Sequence, residues 1–273
     1  MLEELAERDA RGDIATIYAE IKRFCAVPYV SSMQRHLATR TGWLEWVWTA
    51  LRPAFVSGHA QTSAWRAADG LVVPRLAPIS REALRVWGVD ADGETAIRAV
   101  CDSFIRASPT NLVLSGLLRR LLNGEKPGGA SRTAPEWTPP AMVATLPALV
   151  DIAALPASER EVLLSLGTPV DGRPFVPGLY RMLAQWPRFT AHVATVLQPH
   201  FADPATRATC RKLLDAIDAE IPAVFAALPA LRDTPPAPPP HEYGAVLAAL
   251  EAYRKTSPEM VVFSRLIRDA LPA

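Results

Sequence analysis

The sequence predicts an all-α protein made by internal duplication, a helical pseudo-dimer within one chain. Three observations predict it. Apolar residues recur at spacings of three and four along most of the 273 residues, as in helices with one buried face. No alternation of period two runs for more than four residues. One phrase also occurs twice: SPTNLVLSGLLRRLL at 108–122 returns as SPEMVVFSRLIRDAL at 257–271, matching without a gap at Ser, Pro, Val, Ser, Leu, Arg and Leu.

The helices follow in order. IATIYAEIKRF, WLEWVWTALR, TAIRAVCDSFIRA, LVLSGLLRRLL, RFTAHVATVLQ, ATCRKLLDAIDAEI and GAVLAALEAYRK are rich in Ala, Leu, Arg and Glu, residues that lose little on entering a helix. In GVDADGETAI, Asp92 or a neighbour caps the helix that follows, its side-chain oxygen accepting from a first-turn N–H. WLEWVW at 43–48 crowds three tryptophans on one helix. They are read as core and inter-repeat packing, with an aromatic ligand box as the alternative. The Ser-Pro of each repeated phrase reads as a helix start with Pro in the first turn. Two segments break the helical period: GEKPGGASRTAPEWTPP at 124–140 and the proline-rich RDTPPAPPPHEY at 232–243. Both read as stiff connectors, and the alternative is a ligand segment for a partner's aromatic groove.

Further pairs extend the duplication. YVSSMQRHLA at 29–38 faces FVPGLYRMLA at 175–184, and LRPAF at 51–55 faces LQPHF at 197–201, both 146 residues apart; the Ser-Pro pair is 149 apart. The expected organisation is a first repeat at 1–123, a linker at 124–140 and a second repeat at 141–273, in one compact unit. Two copies are too few for a solenoid. They are expected to pack about an approximate two-fold axis, with the ligand cleft between them.

Charge and composition exclude several classes. With 29 basic and 28 acidic side chains there is no concentrated basic face for nucleic acid. The opening MLEELAERDARGD is acidic rather than signal-like, and the longest apolar stretch, AMVATLPALVDIAALPA, is broken by prolines and an aspartate, so no membrane segment is expected. Cys25, Cys101 and Cys210 form no CxxC and read as free buried thiols in a reducing cytoplasm. His36, His59, His192, His200 and His241 are scattered without a carboxylate partner pattern, so neither metal nor cofactor is expected. DADGE at 90–94 lacks the further acidic positions of a calcium loop. Arg35 and Arg181 take matching places in the two copies. A guanidinium pair of this kind suits a carboxylate, sulfate or phosphate, and the alternative is an arginine packing its stem with its head in solvent.

The stretch GDIATIYAEIKRFCAVPYVSSMQRHLATRTGWL resembles the opening of the DehI-type, or group I, DL-2-haloacid dehalogenases. The shared positions are Gly12, Tyr18 with Ile21, Val27-Pro28-Tyr29-Val30, Leu37-Ala38-Thr39 and Gly42-Trp43-Leu44. LPALVDIAALPASEREVLLSL and the LAQWP of 183–187 are similar to later stretches of the family. The resemblance implies an all-α, internally duplicated protein of the AhpD-like superfamily, with its site between the repeats. It also implies displacement of halide from 2-haloacids by an Asp-activated water.

Residue by residue, the resemblance implies a changed site. The catalytic Asp of the family falls on Leu179, beside Gly178, and leucine accepts no proton. The family's Trp falls on Tyr29, its Phe on Ser32, and its site Asn on Ser108, with Ser257 as the repeat's copy. Asp171, in GTPVDGRPF, is either a replacement base or a solvated turn residue. The expected substrate-binding set is therefore Tyr29, Ser32, Arg35, Ser108, Gly178, Leu179, Arg181 and Ser257, with no catalytic residue assigned. Three functions stay open. One is an intramolecular ring-closing displacement in secondary metabolism, of aziridine type, on a small anionic substrate. The second is a non-catalytic subunit that stabilises a related enzyme, as partner or homodimer. The third is a hydrolytic dehalogenase with a relocated base.

Overall fold

The computed structural model describes residues 3–129, 136–170, 173–231 and 235–273. Helix α1 spans Gly12–Cys25, α2 Ser32–Leu37, α3 Trp43–Val56, α4 His59–Asp69, α5 Arg81–Val86 and the long α6 Ala91–Leu122. Helix α7 (Ala157–Ser165) precedes two strands, β1 (Thr168–Val170) and β2 (Arg173–Phe175). Then follow α8 (Gly178–Leu183), α9 (Pro187–Ala202), α10 (Pro204–Ala227) and α11 (Tyr243–Ala270). The fold is all-α and internally duplicated. The strands pair antiparallel, with Thr168 opposite Phe175. The helical reading misses them because three-residue strands are too short to display a period.

The duplication is visible element by element. Helices α2 and α8 are each six residues long. Helices α3 and α9 each contain a proline, Pro53 and Pro199. Helices α6 and α11 contain Pro109 and Pro258. The expectation that Ser-Pro opens a helix is therefore corrected: both prolines lie inside one. TAIRAVCDSFIRA and GAVLAALEAYRK carry the helical period up to each Ser-Pro, so the helix is already under way. A proline there removes one backbone bond, to the carbonyl four residues earlier, which is Ile105 or Arg254.

The connectors differ from expectation in extent. Residues 130–135 and 232–234 lie outside the described residues. Residues 136–151 have no regular structure, so the apolar AMVATLPALV is not helical. Pro139, Pro140 and Pro147 each bias the preceding residue towards extended backbone. This run finds hydrogen bonds elsewhere, Trp137 N donating to Val56 O at 2.8 Å and Val150 N to Arg181 O at 3.2 Å.

Two compact units emerge. The first comprises the described residues of Met1–Gly70, Arg106–Met142 and Leu213–Ser257; the second comprises those of Leu71–Ile105, Val143–Lys212 and Pro258–Ala273. Each draws on both halves of the sequence. The change of unit falls at Ile105 and Arg106 in α6 and at Ser257 and Pro258 in α11, within four residues of each helix's proline.

In the first unit α1 packs on α3, and α3 on α4. Phe24, Trp43, Leu44, Leu51 and Phe55 are fully buried in its core. Trp43, Trp46 and Trp48 are all buried, so WLEWVW is packing, and Trp43 meets Trp46 edge-on at 6.3 Å. Buried indole N–H groups need acceptors. Trp43 donates to Glu242 and Trp48 to Glu20, both at 2.7 Å. Gly58 has φ 73°, and a Cβ there would overlap the Trp137 ring, so the position strongly favours glycine.

In the second unit α7 and α8 pack on α9. Leu179, Tyr180, Phe189, Leu197 and Leu266 are fully buried there. Asp90, the neighbour of Asp92, caps α6: its Oδ1 accepts from Gly93 N at 2.7 Å.

Candidate functional site

The candidate residues separate between the units. In the first, α1 ends at Ala26, whose left-handed backbone (φ 53°) turns the chain into Val27-Pro28-Tyr29 and on to α2. That conformation costs a non-glycine residue about 1 kcal/mol. Ser32 and Arg35 are the first and fourth residues of α2, one turn apart and so on one face. Arg35 Nη2 donates to Ser32 Oγ at 3.3 Å and pairs with Glu4 Oε2 at 2.7 Å. Tyr253, on α11, interacts with Ser32, whose hydroxyl opposes the rise that burial gives the Tyr253 pKa. Tyr18 donates to Leu5 O at 3.1 Å. The structure thus gathers Tyr29, Ser32 and Arg35 with Tyr18, Tyr253, Glu4 and Glu7.

Burial governs the titration of this group. It pushes the Tyr18 hydroxyl up to about 12, and raises Tyr29 and Tyr253 further. The Arg35 cation opposes the rise in each case without cancelling it. All three hydroxyls are therefore neutral donors at ordinary pH. Ser108 is buried in α6, beside the segment where Asn111 accepts from Gln34 Nε2 at 2.7 Å. Ser257 is half-buried on α11, one turn beyond Tyr253 and on its face.

In the second unit, Leu179 is fully buried. Gly178 sits against Phe104: a Cβ there would lie 3.4 Å from Phe104 Cζ. Arg181 donates through Nε and Nη2 to Val150 O, at 3.2 and 2.9 Å. Tyr180 is fully buried, and its hydroxyl has no hydrogen-bond partner among the described residues. Burial raises its pKa, and the nearby Glu259 carboxylate adds to the effect. Glu259 accepts from Thr168 Oγ1 at 2.8 Å. Asp171 lies outside the described residues.

The two copies carry the same contact with different chemistry. Ser32 and Gly178 are 146 residues apart, Tyr253 and Phe104 149 apart, and Tyr29 and Phe175 146 apart. In each pair the first unit has a hydroxyl and the second has none. Sequence reasoning missed Tyr253 and Glu4. Tyr253 was within reach, standing where the first copy has Phe104.

The cysteines are free. Cys25 and Cys101 are buried and Cys210 is half-buried. Burial raises all three, Cys25 to about 11 and Cys210 to about 12, so none is a thiolate at neutral pH. No group of three His, Cys, Asp or Glu able to hold a metal occurs among the described residues. No helix among them is long and apolar enough to cross a membrane. Two cavities in the second unit, of about 300 and 430 Å³, are lined by other residues, among them Leu155, Val162 and Thr190 in one and Arg75, Arg98 and Arg268 in the other. Neither holds a candidate residue, so the site rests on the side-chain geometry.

No family model matches this chain, and no curated protein does. Solved structures do. A complex of D-2-haloacid dehalogenase with L-LA is 20% identical, with a TM-score of 0.74 over 99% of this chain and 96% of that one. A mutant D-2-haloacid dehalogenase with D-2-CPA is 19% identical, with a TM-score of 0.73 and the same coverage. At this identity the likeness establishes a shared fold.

Proposed function

We propose that the chain catalyses displacement at carbon on a small substrate, without activating a water. The nucleophile then belongs to the substrate: an amine attacks a carbon of the same molecule, closes a strained ring such as an aziridine, and expels an anionic leaving group. This suits a step in secondary metabolism. One observation carries the reading. Leu179, the residue aligned by resemblance with the water-activating Asp, is fully buried, and α8 (GLYRML) contains no carboxylate. The shared fold with D-2-haloacid dehalogenases supports displacement chemistry. The protein's contribution would be orientation and stabilisation of the leaving anion, for which Arg35 and the neutral hydroxyls beside it are suitable donors.

The test has two arms. Purified protein is given D- and L-2-chloropropionate and chloride is measured; none is expected above the protein-free control. A vicinal amino sulfate ester is then followed by mass spectrometry, and ring closure faster than the protein-free rate is expected. Equal rates with and without protein would end the proposal.

One observation favours a second reading, hydrolytic dehalogenation with a relocated base. Glu259 is a carboxylate within electrostatic range of Tyr180, the neighbour of Leu179. Chloride release that disappears in Glu259→Gln would establish it.

A further inference from the structure

Arg35 and Arg181 occupy the same place in two copies of one helix, and they are satisfied differently. Arg181 lays its Nε–Nη2 edge on one backbone carbonyl, Val150 O. That is a structural arginine tying down an irregular segment. Arg35 is not used in this way. Its Nη2 makes both side-chain bonds, to Glu4 and to Ser32, among the described residues. Its Nε is buried and has no hydrogen-bond partner among the described residues. A guanidinium edge with one donor idle is suited to a two-pronged oxyanion, which takes Nε and Nη2 together.

The present counter-ion of Arg35 comes from a segment with weak attachments. Glu4 belongs to a strap, residues 3–9, in which no residue is fully buried and residues 4–7 are half-buried. The strap is held by polar contacts: Leu5 N to Arg35 O at 3.0 Å, Tyr18 to Leu5 O, His36 Nδ1 with Glu3 O at 2.8 Å, and Glu7 with Lys22 and Val30 N. A segment whose apolar residues, Leu5 and Ala6, are only half-buried opens at lower free energy than the core. The guanidinium beneath it, with a side chain only 19% exposed, cannot stay unpaired at the same low cost. Whatever lifts Glu4 must bring its own negative charge.

We propose that Arg35, with Ser32, Tyr29 and Tyr253 around it, binds the anionic group of a small-molecule ligand, a carboxylate or a sulfate. Glu4 holds that place in the empty protein, and the ligand displaces it, releasing the strap. The inference deepens the displacement reading and rests on it for the kind of ligand. The hydroxyls are the second support: Ser32 Oγ accepts from the guanidinium at 3.3 Å, Tyr253 is near enough to Ser32 to feel its hydroxyl, and each can turn a donor towards an oxyanion. The matching position in the second unit has Gly178, Phe175 and Phe104 instead, and its arginine pairs with no carboxylate among the described residues.

Binding is measured with two unreactive probes, sodium sulfate and sodium propionate, by calorimetry at constant ionic strength in chloride. The wild type is expected to bind weakly. Glu4→Gln removes the competing charge and is expected to tighten binding by about tenfold; Arg35→Gln is expected to abolish it. Hydrogen exchange gives an answer that needs no variant: saturating anion should speed exchange at amides 5–9 in the wild type. A Glu4→Gln protein that binds neither probe more tightly, or a strap whose exchange is unchanged or slowed, would overturn the proposal. A preference for sulfate points to the leaving group, and one for propionate to a substrate carboxylate. Neither probe reacts, so the result is independent of turnover. Glu4-gated binding without ring closure would uphold this site and end the displacement reading.

Discussion

Leu179→Asp places a carboxylate at the position that the displacement proposal leaves without a water-activating base. Leu179 is fully buried, so the substitution has a cost. Truncating a buried leucine to alanine costs about 2–5 kcal/mol; Asp keeps one more heavy-atom branch and leaves a smaller void. Its carboxyl group must then find a partner or bear a desolvation penalty of about 1–3 kcal/mol. A net loss of about 3–5 kcal/mol follows, and at roughly 2–4 °C per kcal/mol for a chain of this size the melting temperature falls by about 10 °C. Burial also raises the new carboxyl's pKa, so any water activation should appear only as pH rises through that elevated value. Leu179→Asn is the control, with the same shape and no base. The assay is chloride release from each enantiomer of 2-chloropropionate, run below the melting temperature of every variant. The wild type and Leu179→Asn should release none, and Leu179→Asp a measurable amount with a rising pH profile. A wild type as active as Leu179→Asp, or an asparagine variant equal to the aspartate one, would refute the argument that Leu179 ends hydrolysis.

Other predictions follow from the packing. Gly58→Ala forces a side chain onto φ 73° and into the Trp137 ring; left-handed strain and overpacking together should cost about 2–4 kcal/mol, read as a lower urea midpoint. Arg254 is 3% exposed and bonded twice to Asp218, at 2.5 and 2.6 Å. Breaking a wholly buried pair costs about 3–5 kcal/mol. The Asp218 side chain is 45% exposed, so water screens the loss, and Asp218→Ala should cost about 1–2 kcal/mol in urea. Tyr18 titrates near 12 in the folded chain and near 10 unfolded. Its contribution to stability is whole below pH 10 and is lost as pH rises through 12. Urea midpoints should therefore fall between those values in the wild type, and less steeply in Tyr18→Phe.

Fold class and duplication were legible because each is written repeatedly. Apolar spacing is set by which face of a helix is buried, and every helix repeats it. What stayed hidden was decided by single residues or by contacts distant in sequence. Asp90 rather than Asp92 caps α6, a choice of local geometry between near-equivalent neighbours. Ser-Pro reads as a helix start in isolation; it lies mid-helix because the flanking segments hold the helical period on both sides of it. The assembly of each unit from both halves of the chain depends on how α6, α10 and α11 run, and no periodicity encodes that. Glu4 was read only as part of an acidic opening, because its partner Arg35 is 31 positions away.

The duplication itself separates structural from chemical roles. Two copies of a fold start with the same contacts, so packing residues should stay similar and residues freed for chemistry should diverge in one copy. Helix α2 and helix α8 both keep their arginine, and α6 and α11 both keep Ser-Pro. What diverges is a set of three matched positions: Tyr29, Ser32 and Tyr253 in the first unit, Phe175, Gly178 and Phe104 in the second. Three polar-for-apolar exchanges at matched positions are more than a core needs, since an apolar lining buries at no hydrogen-bonding cost. Converting the polar set to the apolar one, as Tyr29→Phe, Ser32→Gly and Tyr253→Phe together, should therefore leave the melting temperature within a few degrees while removing anion binding and turnover. If stability collapses instead, the hydroxyls are a packing network and the first unit has no stronger claim to the chemistry than the second.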